Sequence, residues 1–479
     1  MGVVVATPYG RGVVLAKNVI DGTGNADLAA VAGAETEFLG AGEIALQGAG
    51  LSIRPLGKSY VNSDWGYVND CDPVDSWLFG VRGRLGAGKA WDVSQIIETR
   101  ERRRVKGAIT VSPLDVVMER TFPDTIAQGA SDFDSHGPSV ADICYVSEAT
   151  GKKIFNINIP YRAILPEKLD GLAVIGIAAS AHRDALPIMR MQSDVQNTGY
   201  AAGRAAAMSA KSGKSLRDID VKELQRHLAA IGSIPQEALE WKDGFTVDAE
   251  RWNLAVRNAG DGYKDVPLLL SEPERAIPPL QAAYKAETNP TRKLCYAHIL
   301  GIMGDATGAE TLARQIDGRD EPVKINVLEQ TAYGRRMGER DALIVGLGRT
   351  KSPLAVEPLL RELEKVNGTS SPSHVRAMSL ACEAIGDARL APALAKALTS
   401  PKMGGHVRKG DSAIVPMGGF GGNPEFARCL RELNIARALV ACGDYEGLGR
   451  KTFEDYAEDG RGVLAYHARA VLEKFFGQK

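Results

Sequence analysis

The 479-residue chain has no excess of either charge: 58 lysines and arginines stand against 59 aspartates and glutamates, a net of −1. With no global field to attract nucleic acid or anionic lipid, any charged partner has to be recognised locally. The chain also lacks a run of roughly 20 apolar residues such as a bilayer crossing needs, and it does not start with a basic stretch leading into an apolar one. Neither a membrane span nor an export signal is legible; the compartment stays open, cytoplasmic by default. Its six cysteines, Cys71, Cys144, Cys295, Cys382, Cys429 and Cys442, show no CxxC or CxxH spacing. That excludes the usual iron–sulfur and structural zinc frameworks and leaves buried thiols as the expectation, with no metal site. A hydrophobic share of 44% and a charged share of 24% are those of a soluble globular chain. The length calls for two or three domains rather than one core.

What is present begins with a hairpin pattern. Val3, Val4 and Val5 run into Pro8-Tyr9-Gly10-Arg11-Gly12 and out through Val13, Val14 and Leu15. Val19-Ile20 then leads into Asp21-Gly22-Thr23-Gly24 and an alanine-rich stretch, which reads as a buried strand handing over to a helix through a glycine turn. Residues 38 to 150 have no single period; they hold Trp65, Trp77 and Trp91 and the charge run Glu98 to Arg104, whose alternating signs indicate a solvated or ion-paired face rather than a nucleic-acid surface. Asn156 to Ile164 is extended, Gly171 to Gly176 is a short buried strand, and a helix of Ala, Gly and Ser is expected to start at Gly199.

From about residue 250 the helical period dominates. Segments close on Gly304-Asp305, Gly348-Arg349, Gly386-Asp387 and Gly443-Asp444, and the first three glycines are 44 and 38 residues apart, within the range of helix-pair repeats. Each glycine is expected to supply a left-handed C-cap and each Asp to cap the next helix. Leu390, Ala391, Leu394 and Leu398 form an apolar stripe for stacking on neighbours, and the glycine-rich insert Met403 to Asn423 reads as a projecting loop.

Two stretches carry the candidate chemistry. At Asp21-Gly22-Thr23-Gly24 a strand ends in Gly-x-Gly, which brings bare backbone to the carboxyl end of a sheet, where open α/β sheets take cofactors. The second holds Val174-Ile175-Gly176, Ser180-Ala181-His182-Arg183, Met189-Arg190-Met191-Gln192 and Thr198-Gly199-Tyr200-Ala201-Ala202-Gly203. A helix starting at Gly199 would present free amides and a positive dipole end to an electron-rich ring edge, with Ala202 and Gly203 leaving room for it. His182 is the candidate proton acceptor or donor and Arg190 the group that orients a substrate carboxylate or hydroxyl. His136 is a second histidine candidate, set against its reading as a loop residue in solvent.

Taken in order, the strand with DGTG and ADLA, the ET-R-x-RR run, IPYRAILP, GLAVIG followed by SAHRDA, and R-M-Q with TGYAAGRAAA resemble the FAD-dependent oxidoreductases related to fumarate reductase and aspartate oxidase flavoproteins. The resemblance spans roughly residues 1 to 235. It implies an α/β fold, an FAD-binding Rossmann-like domain with an inserted α+β substrate domain, followed here by an all-α HEAT-like repeat domain. The corresponding boundaries are 1–37 for the first part of the FAD domain, 38–150 for the substrate domain, 151–245 for the rest of the FAD domain and 246–479 for the repeats. It further implies FAD as cofactor, with Gly22, Thr23 and Gly24 on the adenosine diphosphate side and Gly176, Ser180, Gly199, Ala202 and Gly203 on the flavin side. Arg100 or Arg103 would stand at the edge of the substrate domain.

The family's opening strand and GxGxxG turn have no counterpart upstream of Asp21. The chain is therefore expected to be an N-terminally incomplete flavoprotein that binds FAD weakly, or not at all, without the missing half. Two functions follow from the sequence. One is an FAD-dependent oxidoreductase moving a hydride between a small-molecule substrate and flavin; the other is a non-catalytic scaffold that uses the helical repeats to hold a protein partner and keeps a degenerate flavoprotein half.

Overall fold

A computed structural model describes residues 2–51, 66–86, 96–146, 154–318, 337–414 and 424–477. Trp65, Trp91 and residues 415–423 of the glycine-rich insert lie outside the described residues. The chain forms two compact units, one of Met1–Phe38, Arg102–Asp134 and Gly151–Val247, the other of Leu39–Glu101, Ser135–Thr150 and Asp248–Lys479. The stretch expected as an inserted substrate domain, 38–150, is divided between them.

The first unit is mixed α/β. The strands β1 (Gly2–Thr7) and β2 (Gly10–Leu15) form the expected antiparallel hairpin, with Val4 opposite Val13. The strand β3 (Val19–Asp21) runs parallel to a strand far along the chain, Leu172–Val174, with Asp21 opposite Val174. Between them in sequence lie β4 (Thr36–Glu37) and β5 (Arg104–Val105), paired with each other, and the antiparallel ribbon of β6 (Thr125–Ser131) and β7 (Phe155–Pro160). The strand Leu172–Val174 is β8. Gly129 in β6 has no alternative residue, since a Cβ there would sit 2.5 Å from the Ile188 carbonyl oxygen.

The helix Gln192–Ser212 lays its small residues on the β3–β8 pair. Ala201, Ala202 and Ala205 are at most 1% exposed and share a core with Ala173, Ile164, Leu224 and Leu228. Each leucine buried there contributes on the order of 2 kcal/mol, and the short side chains of the helix let the layers approach closely enough for that burial. This helix starts seven residues earlier than its glycine suggested. Met191 is its N-cap, so Gly199 lies in the third turn with its amide inside the helical ladder, and the free amides and positive dipole end belong to the turn at Gln192. The strand-forming bias of the sequence around 192–198 is weak, and burial of Asp194 and Thr198 against the ribbon decides the earlier start.

The second unit is helix-rich. The helix Pro290–Ile302 packs on Glu339–Arg349, that one on Pro372–Ile385, and that one on Pro424–Ala441, followed by Leu448–Ala457 and Gly462–Phe476. Glycines make the close approaches: a Cβ at Gly301 would lie 2.7 Å from the Gly346 carbonyl oxygen, and one at Gly348 only 2.3 Å from the Cα of Ala381. Gly348 is thus a packing glycine inside its helix rather than a cap, while Gly304, Gly386 and Gly443 do take positive φ of 83°, 64° and 103°. The capping role of Asp holds where Asp387 accepts from the Arg389 amide at 2.9 Å and Asp444 from the Gly449 amide at 2.6 Å. Leu390, Ala391, Leu394 and Leu398 are buried as a stripe.

Successive helices of this unit each turn a cation or an imidazole onto segments from earlier in the same unit. Arg349 pairs with Asp142 at 2.5 Å, and Arg376 donates to the Ser139 carbonyl at 2.7 Å and bonds Glu43. Arg437 donates to the Gly42 carbonyl at 2.6 Å, and His467 Nδ1 to that of Gly40 at 2.8 Å. Gly40 and Gly42 are therefore held by their backbone carbonyls, and just beyond them Ile44, Leu46 and Ala49 are at most 1% exposed. Among the described residues no helix is long and apolar enough to cross a membrane.

Candidate active site

Gly22, Thr23, Gly24 and Gly176 lie where β3 and β8 end. The Ile175 amide donates to the Asp21 carbonyl at 3.0 Å, so the two chains leave the sheet side by side. Asp21 itself is fully buried, and its carboxylate takes the Thr23 amide at 3.0 Å, the Thr23 hydroxyl at 2.7 Å and the Ala29 amide at 2.9 Å. Three donors on one carboxylate close the turn upon the strand end. The turn contains two left-handed residues, Gly24 at φ 75° and Ala26 at φ 51°. The second costs an alanine about 1 kcal/mol and persists because the surroundings hold it.

What holds it from outside is Arg103. Its amide donates to Asn25 Oδ1 at 3.0 Å, its Nε to the Asn25 carbonyl at 2.9 Å and its Nη2 to Asp27 at 2.5 Å. Asp21, Asn25 and Arg103 are thus the residues that shape the glycine turn. Asp21 could have been read from its place between a strand and a Gly-x-Gly. Arg103 gave no such sign, because a charge run does not tell which of its members reaches a turn 78 residues earlier. Arg103 is engaged with the turn, and Arg100, in the second unit, donates to the carbonyls of Gly48 and Glu98, each at 3.2 Å.

Gly22 and Gly199 approach Ile175, Gly24 approaches Ile177, and a Cβ at Gly176 would lie 3.4 Å from Val195. A Cβ at Gly22 would lie 3.8 Å from Ile175 and one at Gly24 3.7 Å from Ile177; one at Gly199 would lie 3.4 Å from Ile175. Gly176 adopts φ 71°, so only a glycine turns the chain there without strain. Thr23 sits in the same turn, with its hydroxyl accepting from the Asp27 amide at 3.0 Å. The remaining three lie differently. Ala202 is fully buried in the helix core, Ser180 is buried with its hydroxyl 3.0 Å from that of Thr110, and Gly203 faces open space.

His182 follows this cluster on a backbone pinned by its amide donating to the Val111 carbonyl at 2.7 Å. Its Nδ1 accepts from the Asp184 amide at 3.1 Å, and its side chain is 35% exposed. Burial pushes its pKa below the usual histidine value, with Arg183 and Arg104 acting in the same direction and Asp184 and Glu37 opposing. Arg183 bonds Asp184 at 3.0 Å. Arg190 is engaged with Asp134, donating to its carbonyl at 2.5 Å and standing 3.5 Å from its carboxylate. His136 belongs to the second unit; it is 4% exposed with a left-handed backbone at φ 51°, so it is not a loop residue in solvent.

Backbone without side chains is offered at the carboxyl ends of two parallel strands, where open α/β sheets bind cofactors, and the turn is preformed by buried hydrogen bonds rather than left to the ligand. Residues 85–228 match the family model of FAD dependent oxidoreductases. No curated protein matches the chain. The chain thus carries an FAD-dependent oxidoreductase domain, and FAD is the cofactor that this family implies. The matched stretch includes Gly176, Ser180, His182, Arg190, Gly199, Ala202 and Gly203 and leaves out the turn at Gly22, Thr23 and Gly24.

Proposed function

We propose that the chain works as a flavoenzyme of the fumarate reductase and aspartate oxidase type, exchanging a hydride with a small-molecule substrate at the ends of β3 and β8. The observation that carries this reading is the approach of Gly22 and Gly199 to Ile175 and of Gly24 to Ile177 where β3 and β8 end, with the partly exposed His182 six residues beyond Gly176 in the chain. When bound, FAD supplies the hydride acceptor or donor. The chain's own part is to hold the dinucleotide on the turn built by Asp21 and Arg103, to keep Gly176 and Gly199 clear beside the ring, and to hydrogen-bond the substrate through His182. Arg190, at the end of the short helix Leu186–Met189 and tied to Asp134, fixes the far end of the segment that begins at His182. The Gln192 end of the long helix, rather than Gly199, offers the free amides of that region.

The helical segments of the second unit are read as HEAT-like repeats. Their bonds from Arg376, Arg437 and His467 to residues 40–43 and 139 favour a role in holding the chain's own earlier segments over the scaffold reading, in which the same groups would await a protein partner. Titration of the purified chain with FAD, alone and together with a polypeptide carrying a GxGxxG half, tests the flavoenzyme. Bound flavin absorbing near about 450 nm is expected, and Gly24→Val, which forces a β-branched residue to positive φ, should weaken binding at least about tenfold. Colourless protein in both arms sinks the proposal.

A further inference from the structure

The hydrogen bonds around His182 fix more than its position. A backbone amide can only donate, so the Nδ1 that meets the Asp184 amide at 3.1 Å must offer a lone pair. In a neutral imidazole the proton then sits on Nε2. That nitrogen has no protein partner among the described residues, and the ring is 35% exposed, so Nε2–H is offered to whatever occupies the space beside it. The charged groups facing the ring come from three elements. Asp184 and Arg183 belong to its own loop and neutralise each other at 3.0 Å, and Arg104 of β5 and Glu37 of β4 stand 3.8 Å apart across their ribbon. Nδ1 also stands 3.8 Å from the Asp184 carboxylate, which favours a charged ring, but the closer partner at 3.1 Å is the Asp184 amide, and a proton added at Nδ1 would point at that amide hydrogen.

We propose that His182 is a fixed hydrogen-bond donor through Nε2, aimed at a carbonyl or carboxylate oxygen of the bound small molecule, and that it does not take up the substrate's proton. A base needs a lone pair facing its substrate, and the one available lone pair faces the backbone. An Nε2–H donor stabilises negative charge gathering on that oxygen and keeps this ability over the whole neutral range. The role as a ligand group rests on the flavoenzyme reading above, whereas the tautomer does not.

The test uses the full chain labelled with nitrogen-15 in histidine, long-range proton–nitrogen correlation spectra, and His182→Gln to identify the resonances. The expected result near neutral pH is an unprotonated Nδ1 and a protonated Nε2. A proton on Nδ1, or a charged ring, overturns the proposal. Sodium oxalate then serves as a probe with carboxylate oxygens. It is expected to shift the Nε2–H resonance saturably. Calorimetry should show oxalate binding roughly tenfold weaker in His182→Asn, which keeps an acceptor for the Asp184 amide but has no ε donor, and within about threefold of wild type in His182→Gln. Absence of a saturable shift, or equal affinity in all three proteins, also overturns it. FAD binding measured on the same samples reports on the flavoenzyme reading separately: its loss in wild type leaves the tautomer result standing.

Discussion

Acidification should weaken the second unit through two histidines that are buried as neutral rings. His298 is fully buried, with Nε2 donating to the Ala342 carbonyl at 3.0 Å and Nδ1 2.9 Å from the Tyr263 hydroxyl. His467, also fully buried, donates from Nδ1 to the Gly40 carbonyl. Burial is the main cause that lowers His298 to about 4 and His467 to about 3, helped by the positive charges of Arg349 and Arg437 respectively. Both folded values lie below the ordinary 6.5, so the unfolded chain binds more protons wherever the pH falls beneath that value. Their stability is fully present above it and drains away down to the folded values. Between about pH 7.5 and about pH 5 each ring should cost about 2 kcal/mol, about 4 kcal/mol together, a large fraction of the total stability of a domain. The assay is urea unfolding at the two pH values, on wild type, His298→Gln and His467→Asn. Each substitution keeps the nitrogen that donates to the backbone carbonyl and removes the titrating group. Each variant should lose about half of the excess drop. If both retain the wild-type drop in full, the buried rings are not its source and the argument fails.

Two further outcomes concern packing and charge. Gly348→Ala would put a methyl group 2.3 Å from the Cα of Ala381 and should lower stability by about 3 kcal/mol, whereas Gly203→Ala meets no atom within 4 Å and should raise it by up to about 1 kcal/mol; thermal unfolding compares them. Arg376→Ala removes the guanidinium that bonds Glu43, the Ser139 carbonyl at 2.7 Å and the Tyr145 hydroxyl at 3.1 Å, and should cost about 3 kcal/mol in chemical unfolding. Glu43→Gln, which leaves a neutral acceptor, should cost less.

Much of the architecture could be read from patterns because its causes are local. The hairpin of β1 and β2 follows from two valine runs around Pro8 and Gly10, the glycine turn follows from the strand ending at Asp21, and the helical texture beyond residue 250 follows from a period that each helix carries within itself. The start of the helix at Gln192 is not legible in the sequence, since a run of polar residues with no capping side chain says little by itself and Asp194 and Thr198 are buried only in the folded unit. The same holds for Gly348, which has the spacing of a cap and the surroundings of a helix contact.

The sequence by itself determined that Gly22, Gly24, Gly176 and Gly199 would be free of side chains, since a glycine excludes nothing and needs no partner to do so. It also determined that His182 and Arg190 would be available as chemical types. Only the tertiary structure decided which of them come together. Pairing β3 with β8 closes a gap of about 150 residues and brings two turns together. The same folding ties Arg103 to Asn25, commits Arg190 to Asp134, and sets an amide against Nδ1 of His182. Partners so distant in sequence are chosen by which backbones and charges arrive side by side, and no local pattern records that choice.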